Sequence, residues 1–149
     1  MIIKERLKQL RKLMKQHHMD VYIVPTSDFH ETEYVGEYFK ARQFLSGFSG
    51  SNGTLVVTAQ KAGLWTDGRY FIQAKEQLAG SGIDLMKMGE KDTPDLLDYA
   101  VTECDENGTV GFDGRVLNAK TVVALKQKLE SKHGKIAVNY DQLDYLSVE

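Results

Sequence analysis

The chain predicts a mixed α/β domain, a mostly parallel sheet that contains one antiparallel hairpin and carries helices on both faces. Three observations lead there. From residue 83 onward, short apolar runs alternate with amphipathic stretches, the pattern of strands joined through crossover helices. Two β runs, Thr54-Leu55-Val56-Val57-Thr58 and Ala62-Gly63-Leu64-Trp65, are separated only by Ala59-Gln60-Lys61, a spacing that suits a hairpin. The run Val21-Tyr22-Ile23-Val24 is apolar without alternation, as befits a central strand covered on both faces.

The elements follow in order. Ile3, Leu7, Leu10 and Met14 recur at steps of three and four, so a first helix turns them to the sheet and leaves Lys4, Arg6, Lys8, Arg11, Lys12 and Lys15 outside. Charged outer faces are normal; the alternative is a basic helix that binds a membrane surface or an acidic partner. Pro25 is expected to end the pairing of the first strand. Residues 26–34 are polar and aperiodic, a loop. Asp28, His30, Glu31 and Glu33 could gather round a metal there, but no second cluster at ligand spacing joins them, which favours a loop locked by side-chain hydrogen bonds. Residues 37–45 suit a short helix. Residues 46–53 read as a close-packed turn whose glycines match neither a phosphate-binding fingerprint nor a nucleophile elbow.

After the hairpin, Leu64-Trp65-Thr66-Asp67-Gly68-Arg69-Tyr70-Phe71 reads as a strand end, a sharp polar turn and a helix start, the junction where α/β domains place functional side chains. Asp67 can cap the helix, Gly68 lets the backbone turn tightly, and Arg69 leaves the first turn with a rigid fork of donors suited to a carboxylate. The alternative is a plain turn and cap beside a solvated arginine. Phe71, Ile72 and Leu78 give the second helix an apolar side, and Gly80-Ser81-Gly82 stops it. Residues 83–88 form a strand. Thr93-Pro94-Asp95 supplies a cap and a first-turn proline for a helix whose Leu97, Ala100, Val101 and Cys104 face the core. Asn107-Gly108 turns into a strand over 109–112, Val122, Leu125 and Leu129 line a further helix that Gly134 closes, and 135–138 is the last strand.

Composition narrows the function classes. With 149 residues, 42% of them hydrophobic and 27% charged, the chain can bury a core without disulfide or metal staples. A net charge of −2 gives no general pull toward nucleic acid or an acidic membrane. The single cysteine, Cys104, falls at an apolar helix position with no histidine close in sequence. It reads as a small buried hydrophobe rather than a nucleophile, and fits a reducing, cytoplasmic compartment. The apolar residues of the N-terminus are dispersed rather than gathered in a signal-peptide core, and no stretch reaches the length that crosses a bilayer.

Four stretches in order carry a resemblance: Val24-Pro25-Thr26-Ser27-Asp28 with His30 and Glu33-Tyr34; Phe44 through Ser51 with Gly53-Thr54; Leu64 through Phe71 with Gln73-Ala74; and Leu85-Met86-Lys87-Met88-Gly89 with Asp92-Thr93-Pro94. Together they resemble the N-terminal domain of the Xaa-Pro aminopeptidases (aminopeptidase P) of the creatinase/prolidase family, most of all the three-domain form. Asn52 and Gly114-Arg115 depart from the family pattern at turns. The resemblance implies a ribonuclease-H-like sheet over residues 1–140, with 141–149 beginning the link to a second domain. It implies that the catalytic unit is a separate C-terminal domain holding two divalent metals, commonly manganese, so that no residue here is catalytic or metal-binding. The substrates implied are short peptides with proline at the second position, and the full-length enzyme is expected to be a cytoplasmic homodimer. By the same resemblance this domain restricts access to the cleft of the catalytic domain, its partner in the same chain. Arg69 then binds substrate, and Asp67, Trp65 and His30 support it. A structural ion pair between Arg69 and a neighbouring carboxylate remains the alternative. The rival function is a free-standing ligand-binding or protein-interaction domain that uses residues 46–53 or 67–70.

Overall fold

The computed structural model describes residues 2–26, 45–48, 53–112 and 119–138. Helix α1 (Ile2–Gln16) leads into strands β1 (Val21–Thr26), β2 (Gly53–Thr58) and β3 (Ala62–Thr66). A 3-10 turn (Gly68–Tyr70) opens α2 (Phe71–Gln77), followed by β4 (Asp84–Lys87), α3 (Leu96–Glu103), β5 (Thr109–Phe112), α4 (Ala119–Leu129) and β6 (Lys135–Val138). The expected helix over 37–45 and the loop carrying His30 fall almost wholly outside the described residues, as do Asn52, Gly114-Arg115 and the tail 141–149.

The strands form one six-stranded sheet in the order β4-β3-β2-β1-β5-β6. The β3–β4, β1–β5 and β5–β6 pairings are parallel, and only β2 runs against its neighbours. This is the mostly parallel sheet that was expected, with its one hairpin at residues 59–61. The same reversed strand also pairs with β1 across the long connection 27–52, a partnership that no local spacing announces.

Alternation along the strands sends side chains to two cores. Val21, Ile23, Val56, Trp65, Val110 and Phe112 pack beneath α3 and α4 with Ala100, Leu125 and Leu129. Tyr22, Val24, Leu55, Val57 and Leu64 pack on the opposite face with Leu7, Leu10 and Met14 of α1 and Ala74 of α2. Each fully buried aliphatic side chain contributes roughly 1.5–3 kcal/mol. Helices therefore cover both faces, and the apolar stripe read for α1 is buried as expected.

Several local readings need correction. Pro25 does not end the pairing of β1: it lies opposite Thr54, and β1 continues along β2 to Thr26. Ile72 does not face the core but is 80% exposed, because α2 turns Ala74 and Leu78 inward. The cap of α3 is Asp95 rather than Thr93: its carboxylate accepts the Leu97 and Asp98 amides at 3.0 and 3.3 Å, which leaves Pro94 outside the helix. After α4 the left-handed residue is His133, at φ 55°, and Gly134 follows it with its amide bonded to the Leu129 carbonyl at 3.0 Å. Gly134 is needed for space, since a Cβ there would meet Leu129 Cδ2 at 2.8 Å.

Polar side chains tie the layers together. Arg11 donates from Nε to the Thr58 carbonyl at 2.7 Å and from Nη2 to the Lys61 carbonyl at 3.0 Å, fixing α1 to the hairpin turn. The Lys132 ammonium donates to the carbonyls of Val101, Thr102 and Cys104 at 2.7, 3.2 and 2.9 Å, closing the C-terminal end of α3. Arg11→Met keeps the apolar stem and loses both bonds. It is expected to lower the stability of the isolated chain by about 1–2 kcal/mol, read as a shift of the urea midpoint.

Candidate functional site

Strand direction sorts the surface into two ends. β1, β3, β4, β5 and β6 point the same way, so Thr66 and Lys87 mark the carboxyl end of the sheet, where they pair with one another. Asp67 and Arg69 follow Thr66 directly. The sheet thus delivers them to the end where open α/β folds bind ligands.

Asp67 is the N-cap of the 3-10 turn, with extended backbone and its side chain accepting the Arg69 amide at 3.0 Å. The same carboxylate receives the Arg69 guanidinium through both oxygens, Nε to Oδ1 at 3.0 Å and Nη2 to Oδ2 at 2.9 Å. One side chain caps the turn and clamps the arginine that the turn presents. The Arg69 side chain is 65% exposed and that of Asp67 29%, so water screens the pair and its geometry matters more than its energy. The guanidinium also lies 5.1 Å from the centre of the Tyr70 ring, a cation–π distance. Tyr70 in turn meets the buried Phe48 edge-on at 6.0 Å.

Trp65 plays a different part. Its side chain is buried under α3, where Nε1 donates to the Pro94 carbonyl at 2.9 Å and the ring meets Tyr99 at 4.9 Å. It anchors the strand from which the turn emerges. Gly63 makes room for that ring, since a Cβ there would lie 2.9 Å from the Trp65 Cζ3 atom. The structure therefore brings Asp67 and Arg69 together and sets Trp65 in the core behind them; His30 lies outside the described residues. Sequence reasoning missed Tyr70 as the platform of the guanidinium, although its position directly after Arg69 was the available signal. It also missed the Trp65–Pro94 bond, because 29 residues separate the partners. The reading of Gly68 as a conformational need is not supported: no positive φ occurs there, and a Cβ would meet nothing closer than 3.9 Å.

A cleft of about 1200 Å³ opens at the opposite, amino end of the sheet, between Arg11, Lys12 and His18 on one side and Glu103, Asp105 and Glu106 on the other. Arg11, its deepest cation, is committed to the backbone carbonyls of the hairpin turn. Cys104 lies beside this end, 1% exposed, its Sγ 3.9 Å from the Asp20 carboxylate. Burial first, and the Asp20 charge second, push the thiol up to about 11. Such a thiol is protonated at neutral pH and is no nucleophile. Among the described residues no three or more His, Cys, Asp or Glu side chains gather as a metal site, and none of the helices is long and apolar enough to cross a membrane.

Two expectations follow from this geometry. Trp65→Phe removes the indole N–H from the Pro94 carbonyl and part of a buried ring, and is expected to cost about 1–3 kcal/mol in urea unfolding, whereas Gly68→Ala is expected to be neutral or stabilising by up to about 1 kcal/mol. The raised thiol of Cys104 gives the second. The unfolded thiol ionises first, so its contribution to stability is complete below about pH 9 and is lost as pH rises to about 11. The urea midpoint of the wild-type chain is expected to fall across that window more steeply than that of Cys104→Ala.

Comparison with known proteins agrees with the fold and the motifs. The family model for the Creatinase/Prolidase N-terminal domain matches residues 6–143. A probable Xaa-Pro aminopeptidase P of Pyricularia oryzae is 45% identical over 130 residues, which is 87% of this chain and 21% of that protein. Its counterpart in Botryotinia fuckeliana is 41% identical over 142 residues, 94% of this chain and 22% of the relative. The chain thus spans about a fifth of the length of these relatives. Among solved structures, the X-prolyl aminopeptidase of Caenorhabditis elegans, described as a cytosolic enzyme with a di-nuclear active site, superposes with a TM-score of 0.85 at 33% identity, over 100% of this chain and 26% of that one. The N-terminal domain of the cytoplasmic peptidase PepQ from Mycobacterium tuberculosis gives a TM-score of 0.68 at 26% identity, over 96% of this chain and 98% of that one. With a sheet, a motif order and a family match that coincide along nearly its whole length, the chain belongs to the creatinase/prolidase N-terminal domain family.

Proposed function

We propose that this chain is the non-catalytic N-terminal domain of a cytoplasmic Xaa-Pro aminopeptidase, a metallopeptidase that removes the N-terminal residue preceding proline. The observation that carries the proposal is the Arg69 guanidinium, held by Asp67 and exposed at the carboxyl end of the sheet. It stands in a chain whose relatives bear the name Xaa-Pro aminopeptidase P.

In this reading residues 1–140 form the domain and 141–149 begin the connection to a second one. The partner is a catalytic domain of the same polypeptide, where two divalent metals, here taken to be manganese, supply Lewis-acid chemistry. The side chains of the present domain bind and orient. Arg69 donates to a carbonyl or carboxylate of the substrate, Asp67 fixes its direction, Trp65 anchors the strand behind it, and His30 has a supporting role. Placed over the cleft, the domain limits entry to short peptides with proline at the second position. A homodimer completes the reading.

The test is a peptidase assay on an Arg-Pro-Pro-type peptide with and without added manganese. The isolated chain is expected to fold cooperatively and to leave the peptide intact, while the full reading frame cleaves it; turnover by the pure isolated chain overturns the non-catalytic assignment. In the full-length enzyme Arg69→Ala is expected to lower kcat/KM about tenfold with folding unchanged, the size of a lost charged hydrogen bond. Unchanged kinetics on short and longer peptides reject the role of Arg69.

A further inference from the structure

Lys87 lies at the same corner of the domain as Arg69. Leu85 packs on the α1–α2 core and Met86 on the opposite one, so strand alternation turns Lys87 toward α2. Tyr70 packs on that same α1–α2 core. The backbone around Lys87 is tied on both sides: the residue pairs with Thr66, the Met88 amide donates to the Thr66 carbonyl at 3.0 Å, and the Lys87 carbonyl accepts the Glu90 amide at 3.1 Å. The lysine side chain therefore leaves the sheet from a fixed point, across from the residue that leads into Asp67.

Its ammonium ends 5.6 Å from the centre of the half-buried Phe71 ring. Consecutive aromatic residues thus carry a cation each, Arg69 on Tyr70 and Lys87 on Phe71. Their surroundings differ in charge. Arg69 has a carboxylate partner in Asp67, whereas among the described residues no carboxylate pairs with Lys87, not even that of Glu90. Lys61 and Lys128, which are also exposed, do have such partners in Glu103 and Asp98. An aromatic face attracts a cation without cancelling its charge, so the ammonium on Phe71 still attracts an anion.

We infer that Lys87 is a further substrate-binding residue whose ammonium takes a carboxylate of the peptide, at its C-terminus or on an acidic side chain. The inference rests on the reading of this chain as part of an Xaa-Pro aminopeptidase that meets its peptide at the carboxyl end of the sheet. An ammonium is a compact charge with three rotatable donors and imposes little direction on its partner, which suits the free end of a short peptide.

The experiment uses the full-length enzyme and three peptides of the Arg-Pro-Pro type: the free acid, its C-terminal amide, and an amide that ends in glutamate. Lys87→Met keeps the apolar stem and removes the charge. It is expected to lower kcat/KM about threefold or more on at least one carboxylate-bearing peptide, the scale of an exposed ion pair, while the plain amide is turned over as by wild type. The peptide that loses more identifies which carboxylate is bound. Lys87→Arg, which restores the charge, is expected to recover most of the loss, and added salt to shrink the difference between wild type and Lys87→Met. An equal loss on all three peptides, as from a contact to another part of the enzyme, or no loss on any of them, overturns the inference and leaves the peptidase reading standing. If the wild-type full reading frame cleaves none of the three, that reading fails and the inference falls with it.

Discussion

Burial of the sheet on both faces is the constraint from which the rest of the architecture follows. β1 and β2 lie at the centre of the strand order, and their side chains enter the α1 core and the α3–α4 core in turn. Neither face can then hold a solvated polar side chain, so polar chemistry is driven to the strand ends. Arg11, Lys132 and Asp95 all act there, closing turns and helix termini whose backbone groups would otherwise lack partners. The Asp67–Arg69 turn obeys the same rule.

The two ends of the sheet differ in what their charges are doing. At the amino end the deepest cation of the cleft is spent on backbone carbonyls and the thiol beside it is held protonated, an arrangement that stabilises the fold. At the carboxyl end an exposed guanidinium is kept in one orientation by a carboxylate that is itself part of a turn. The ordered side chain is the better guide, because recognition depends on donors already placed.

Much of this was legible in the sequence. The α1 stripe, the hairpin and the later alternation of strands and helices are local patterns, and local patterns survive folding when both faces of a sheet demand apolar residues. The misreadings share a physical cause. Ile72 was assigned by hydrophobicity, but rotation about a helix only seven residues long is set by Ala74 and Leu78, which fit the sheet more closely. Thr93 lost to Asp95 because a carboxylate that reaches two amides outcompetes a hydroxyl two residues earlier. Pro25 was judged as a stop, whereas a strand proline lacks only its own amide and the register with β2 runs on through Thr26. The motif around Arg69 was visible as a motif. That its aspartate would hold the guanidinium as well as the amide was a matter of side-chain geometry, which spacing alone does not reveal.

The sheet ends in β4 on one side and β6 on the other, each four residues long. Lys87 closes the first and Lys135 opens the second, both exposed to solvent. Short borders that carry an exposed lysine make poor templates for a further strand, because a second copy would gain few backbone bonds. Such a unit can stand beside other domains, or be produced apart from them, without its sheets fusing edge to edge into aggregates.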